Sequence, residues 1–145
     1  TLVGRLIRDQ MTQRLPVAVG PDRIWSFSWI EDVAGAHVAA LERGGAGRYM
    51  LGGENLPQRR LFEIVAARTG ARMPLALPAW TARLVGAAEV ARARATGRPP
   101  LVTPETVAIF EHDWPLDSTA AAGALNYRIT PLVDGLEKLL SEFSV

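Results

Sequence analysis

The chain of 145 residues has no cysteine. That absence removes disulfides, thiolate nucleophiles and every zinc or iron–sulfur site built on cysteine, so any chemistry must come from other groups. Lysine is nearly absent as well, with Lys138 standing alone among arginines. With a net charge of +1, the chain lacks the strongly basic balance that phosphate backbones attract, and no nucleic-acid partner is expected. No run reaches the roughly 18 uncharged apolar residues needed to cross a bilayer, so no membrane partner is expected either. Nothing at Thr1 has the charged, apolar, small-residue order of an export leader. A cytoplasmic location is the expectation.

What is present is the material of one globular unit. Hydrophobic residues make up 48% and charged residues 21%, which suits a chain that buries a core. Thr1-Leu2-Val3-Gly4-Arg5-Leu6-Ile7 starts without methionine and goes straight into helical periodicity. The chain therefore reads as the later part of something longer.

Residues 3 to 14 suit a helix that Pro16 closes, since proline cannot continue a helix. Val17-Ala18-Val19 is a short strand, and Gly20-Pro21-Asp22 is turn chemistry. Ile24 to Ile30 alternates in the Trp25, Phe27, Trp29 register of a strand with one buried face. A helix capped by Glu31 or Asp32 is then predicted through about Arg43, ended by Gly44-Gly45-Ala46-Gly47. Arg48 to Leu51 reads as the next strand and Gly52-Gly53-Glu54-Asn55 as a loop, which makes a strand, helix, strand unit with parallel pairing.

Beyond that point helices dominate. Leu56-Pro57, Leu77-Pro78, Thr103-Pro104 and Thr130-Pro131 are repeated start signals, because a first helical turn has no use for the N–H that proline lacks. Helices are predicted near 57 to 69, 79 to 96, 104 to 112 and 131 to 143, with a short one near 118 to 124, threonine caps at Thr103 and Thr130, and an extended piece from Met73 to Leu77. Trp80, Leu84, Ala87, Ala88 and Ala91 form an apolar stripe, with Arg83, Arg92 and Arg94 on a solvated face.

Chemistry-bearing clusters are few. Glu31 and Asp32 are adjacent and do not face each other on a helix, so capping explains them better than paired acid–base work. His37 lies four residues from Val33 and from Leu41, on an apolar stripe, and reads as a packing histidine, while Ala34, Gly35, Ala36, Ala39 and Ala40 suit close packing of a helix on a sheet. Glu111-His112-Asp113-Trp114 lacks a second histidine at i+4, and no metal site is expected. No Gly-x-Ser-x-Gly marks a hydrolase. Gly44 to Gly47 and Gly52-Gly53 lack the Gly-x-Gly-x-x-Gly spacing of a pyrophosphate cradle and read as loops.

An ordered series of residues resembles the C-terminal part of an extended short-chain dehydrogenase/reductase of the NAD-dependent epimerase/dehydratase family, nearest to its dihydroflavonol reductase-like members. The series is Gly4-Arg5-Leu6-Ile7, Arg14-Leu15-Pro16-Val17, Phe27 to Ala34, Arg48 to Leu56, Thr103-Pro104-Glu105, Leu125-Asn126-Tyr127-Arg128, Pro131-Leu132 and Gly135-Leu136. The resemblance implies an α/β fold: the final strands and helices of a Rossmann-like parallel sheet, with about 1 to 52 sheet-associated, and a small, mainly helical substrate-binding lobe over about 53 to 145. It also implies NAD or NADP, bound by an N-terminal part of the same protein, since that family's glycine-rich turn and Tyr-x-x-x-Lys pair are both missing here. Four residues after Tyr49 comes Gly53, and four after Tyr127 comes Pro131.

No catalytic, cofactor-binding or metal-ligating residue is assigned within the chain. Arg5, Pro16, Trp25 and Trp29 are the expected substrate-pocket residues. Nucleotide-sugar members of the family carry arginine where Trp25 stands, and tryptophan cannot neutralise a diphosphate. The expected substrate is a carbonyl or hydroxyl compound with a hydrophobic body. A non-catalytic binding module of the same fold is the alternative, and the family's habit of pairing late helices leaves a homodimer open.

Overall fold

The computed structural model describes residues 1–43, 47–99 and 103–142. Among them the order is α1 (Leu2–Met11), β1 (Val17–Val19), β2 (Ile24–Phe27), α2 (Ile30–Arg43), β3 (Glu54–Pro57), α3 (Gln58–Thr69), β4 (Leu75–Leu77), α4 (Ala79–Thr96), α5 (Pro104–Phe110), α6 (Thr119–Leu125) and α7 (Leu132–Glu142). The fold is α/β, and the chain divides into two compact units, each made of two separate segments.

The first unit comprises Thr1–Arg23 and Pro57–Asp113. Thr1 caps α1 by accepting the Gly4 N–H, and Ile7 and Gln10 turn inward. Gln10 is buried, and its amide donates to the carbonyls of Phe62 at 2.9 Å and Arg72 at 3.3 Å, which fastens α1 to α3. Leu61, Phe62, Ile64 and Val65 of α3 supply the core beside Ile7. β1 and β4 pair in parallel with Val17 opposite Leu75 and Val19 opposite Leu77. Helix α4 ends at Gly97 in the left-handed conformation, and Thr103 caps α5 through the Thr106 N–H as its threonine predicts.

The second unit comprises Ile24–Leu56 and Trp114–Val145. β2 pairs with β3, and Trp25 also bridges to Trp114. The core joins Ala36 of α2 to Ala121 and Leu125 of α6 and to Tyr127, with Ala39, Ala40, Tyr49 and Leu51 packed around them. Gly53 is fixed by sterics: a Cβ there would sit 1.6 Å from the Phe27 carbonyl oxygen. Only glycine lets these two backbone runs lie so close.

Several sequence expectations need correction. Arg48–Leu51 joins no ladder, and β3 falls on Glu54–Pro57, where Glu54-Asn55 was expected to be loop. The alternation itself is real, since Tyr49 and Leu51 pack inward while Arg48 and Met50 face out. A strand also needs a neighbour, and none of the described residues supplies one. The strands flanking α2, β2 and β3, do pair with each other, while the parallel ladder joins β1 to β4.

Helix α2 starts at Ile30, one or two residues before its expected cap. Glu31 and Asp32 lie inside its first turn. Its buried face is Ala36, Ala39 and Ala40 against another helix, whereas His37 is exposed and donates from Nδ1 to the Val33 carbonyl, and Leu41 is 84% exposed. Gly44 to Ala46, expected to end this helix, lie outside the described residues. The α4 stripe is likewise turned outward: Trp80 and Leu84 are 64% and 63% exposed, and Ala82 and Gly86 are buried, with Gly86 against Thr103 and Pro104. Both helices are apolar on two faces, and small residues won the inner side because they allow the closer approach.

Two outcomes follow from this packing. Gly53→Ala is expected to lose about 3 kcal/mol or more in urea denaturation, because backbone must move to admit a methyl. Gly35→Ala, in the same unit with nothing within 4 Å of the new Cβ, is expected to gain roughly 0.5–1 kcal/mol. Burial, and then the charge of Asp32, hold the Tyr127 phenol above its ordinary 10.0. The folded state thus favours the neutral phenol, so its contribution is complete below pH 10 and is lost as pH climbs above it, with a slope of at most ~1.4 kcal/mol per pH unit. Alkaline unfolding curves of the wild type and Tyr127→Phe should converge over that range.

Candidate functional site

Each sequence candidate has a definite place. Arg5 is exposed on α1, and Pro16 is exposed at the entry to β1, where its carbonyl accepts from the Leu75 N–H at 3.0 Å. Pro16 thereby starts the β1–β4 pairing. Trp25 is 9% exposed within β2. Trp29 occupies the turn between β2 and α2, half-buried with its ring against Gly135, its Nε1 donating to Glu31 at 3.1 Å and Lys138 above its face at 5.8 Å. Arg5 and Pro16 belong to the first unit, and Trp25 and Trp29 to the second.

The carboxylates at the β2–α2 junction are committed to structure. Asp32 accepts the Thr130 backbone N–H at 2.7 Å and the Thr130 hydroxyl at 2.9 Å, so neither residue caps a helix as expected from sequence. The cap of α7 comes from elsewhere: Glu54 accepts the Leu132 N–H at 2.8 Å. In Glu111-His112-Asp113, Glu111 pairs with Arg83, His112 bonds the Ala108 carbonyl and Asp113 lies 3.8 Å from Arg23. Among the described residues no three His, Asp or Glu side chains gather as metal ligands, and no helix is long and apolar enough to cross a membrane.

A concave feature of the first unit is a cleft of about 620 Å³ lined by Gly20–Arg23, Ala76–Ala79 and Glu111. It opens at the carboxyl ends of β1 and β4, where parallel strands hand over to a turn and to α4, the place at which open α/β sheets hold ligands. Gly20 makes this turn at φ +58°, and a Cβ there would lie 2.0 Å from the Phe110 carbonyl oxygen. Three ion pairs frame the cleft: Asp22 with Arg59 at 2.5 Å, Glu111 with Arg83 at 2.5 Å, and Arg23 with Asp113 at 3.8 Å. Glu111 is the most sheltered of these, its side chain 12% exposed.

None of Arg5, Pro16, Trp25 and Trp29 lines this cleft. The sequence signals for it were present in part, as Gly20-Pro21-Asp22 after one strand and Pro78 after another. Only the pairing of β1 with β4 brings those turns side by side, and that pairing is not local.

The strand-to-helix turns also decide whether a dinucleotide fits. A pyrophosphate cradle needs a glycine-rich turn whose backbone N–H groups point at the ligand. Here the residues just before α2, α3 and α4 are Trp29, Pro57 and Pro78. A tryptophan side chain packed on α7 and two prolines without N–H do not make that cradle.

Two solved structures share this architecture. The structure of gox2253 aligns with a TM-score of 0.75 and 31% identity over 99% of this chain and 44% of that one. PA4631, described as a nucleoside-diphosphate-sugar epimerase from Pseudomonas aeruginosa, aligns with a TM-score of 0.74 and 23% identity over 97% of this chain and 41% of its own. No family model matches the sequence, and no curated protein matches it. The chain has an epimerase-like α/β fold and spans less than half the length of either neighbour.

Proposed function

We propose that the chain is the substrate-binding C-terminal segment of an NAD(P)-dependent oxidoreductase or epimerase, of the dihydroflavonol reductase-like kind, acting on a carbonyl or hydroxyl compound with a hydrophobic body. The observation that carries this reading is the fold likeness, which takes in 99% of this chain but only 44% of the gox2253 chain. Arg48–Leu51 supports it, because its strand-like alternation finds no ladder partner among the described residues. A strand contributed by an N-terminal part of the same polypeptide would complete that pairing.

NAD or NADP, held by that N-terminal part, supplies hydride chemistry when bound. No step at the nicotinamide is assigned to residues of this chain, whose turns do not form the cradle. Their role is to bind and orient substrate and to exclude water. Arg5 and Pro16 of the first unit, and Trp25 and Trp29 of the second, are each proposed as substrate contacts, the tryptophans offering apolar area and an N–H where a diphosphate would need a cation.

Intact-mass measurement of the polypeptide in its native source tests the reading: a mass well above 15.7 kDa is expected, and a mature chain near 15.7 kDa overturns it. In the longer polypeptide, fluorescence titration should detect NADPH binding that these 145 residues alone do not show.

A further inference from the structure

We propose that the outward face of α4 is a dimer interface, packing two-fold and antiparallel against α4 of a second copy of this chain. The proposal goes beyond the functional reading above and does not rest on it.

The face is one continuous stripe. At about 100° per residue, Trp80, Leu84, Ala87, Ala88, Ala91 and Ala95 fall within an arc of roughly 100° on the side of α4 opposite the buried Ala82 and Gly86. All six residues are exposed. Ala82 and Gly86 fasten the helix to its own unit, Gly86 against Thr103 and Pro104, so folding of that unit leaves the stripe over.

Its shape selects the partner. Bulk is confined to the first part of the stripe, at Trp80 and Leu84, and everything after that is alanine. Turned end for end, a second copy sets Leu84 opposite Ala91 and Trp80 opposite Ala95, with Ala87 and Ala88 meeting near the two-fold axis. Each large side chain then meets a small one in both directions, as an isologous interface requires. A parallel pairing would set tryptophan on tryptophan and alanine on alanine, which leaves half of the helix unpacked.

Charge and area agree with a modest, reversible association. Arg83 is paired with Glu111 and Arg92 with Glu89, so Arg94 is the one arginine of α4 without an ion pair among the described residues. Little like charge holds two copies apart. The exposed part of the stripe amounts to roughly 500 Å² per copy, or roughly 1,000 Å² for the pair, which is the low end of specific interfaces.

The test is sedimentation velocity of the polypeptide at its native length. A monomer–dimer equilibrium with a midpoint of roughly 10–100 µM is expected, tightening as added salt screens Arg94. Ala91→Arg, at an exposed helical position, sets a cation opposite Leu84 and should weaken the dimer at least about tenfold with circular dichroism unchanged. Because the 145 residues hold no cysteine, a single introduced thiol reports the alignment. Oxidation of Ala87→Cys in this chain should cross-link it to its copy, whereas Ala95→Cys should not, its two sites lying about 22 Å apart. A native-length protein that stays monomeric, a dimer unmoved by Ala91→Arg, or Ala95→Cys cross-linking as readily as Ala87→Cys overturns the proposal. So does a monomer whose melting temperature falls on Ala91→Arg, since another part of the same polypeptide would then cover this face.

Discussion

Asp32 and Glu54 hold the second unit together. Its two segments are separated in the chain by most of the first unit, so local structure cannot join them. Asp32 takes the N–H and hydroxyl of Thr130, and Glu54 takes the N–H of Leu132. Ser118 exchanges bonds with the backbone of Gly52, and Asn55 does the same with Leu116. A hydrogen bond to a charged group contributes about 1.5–3 kcal/mol, and leaving a buried partner unmet costs a similar amount. The carboxylates that looked like an acid–base pair in the sequence are the fastenings of a divided unit.

How much of this was legible depended on distance along the chain. Helix α4 lies at the predicted 79 to 96, because proline and glycine punctuate it locally. Strand β1 and the Thr103 cap were readable for the same reason. Periodicity could say that α2 and α4 each had an apolar face, but each has two. Choosing between them needed the shape of the neighbour: Ala36 fits against Ala121, and Gly86 fits against Pro104, whereas Leu41 and Trp80 do not come that close. Arg48–Leu51 shows the converse case, a correct alternation without the ladder that would make it a strand.

The cleft illustrates why site residues were harder to read than fold. Its walls come from two turns that follow β1 and β4, and one acid, Glu111, delivered by the end of α5. No spacing rule links these positions. The tryptophans that drew attention by their chemistry sit in the second unit, Trp25 joined through its backbone to Trp114 and Trp29 packed on Gly135. The epimerase-like fold of the neighbours is compatible with either ligand class, since function lies in the site and not in the fold.

The interleaving of the two units has a consequence during synthesis. All parts of the first unit have been made once Asp113 is added, while Ile24–Leu56 of the second still lacks its other half. At about 5–20 residues per second, the ribosome spends roughly 3–11 s on residues 57–113. For that interval Asp32 and Glu54 have no Thr130 or Leu132 to receive, and β2, α2 and β3 wait with their apolar surface uncovered. The order of translation thus leaves one stretch of this chain dependent on whatever shields nascent polypeptide.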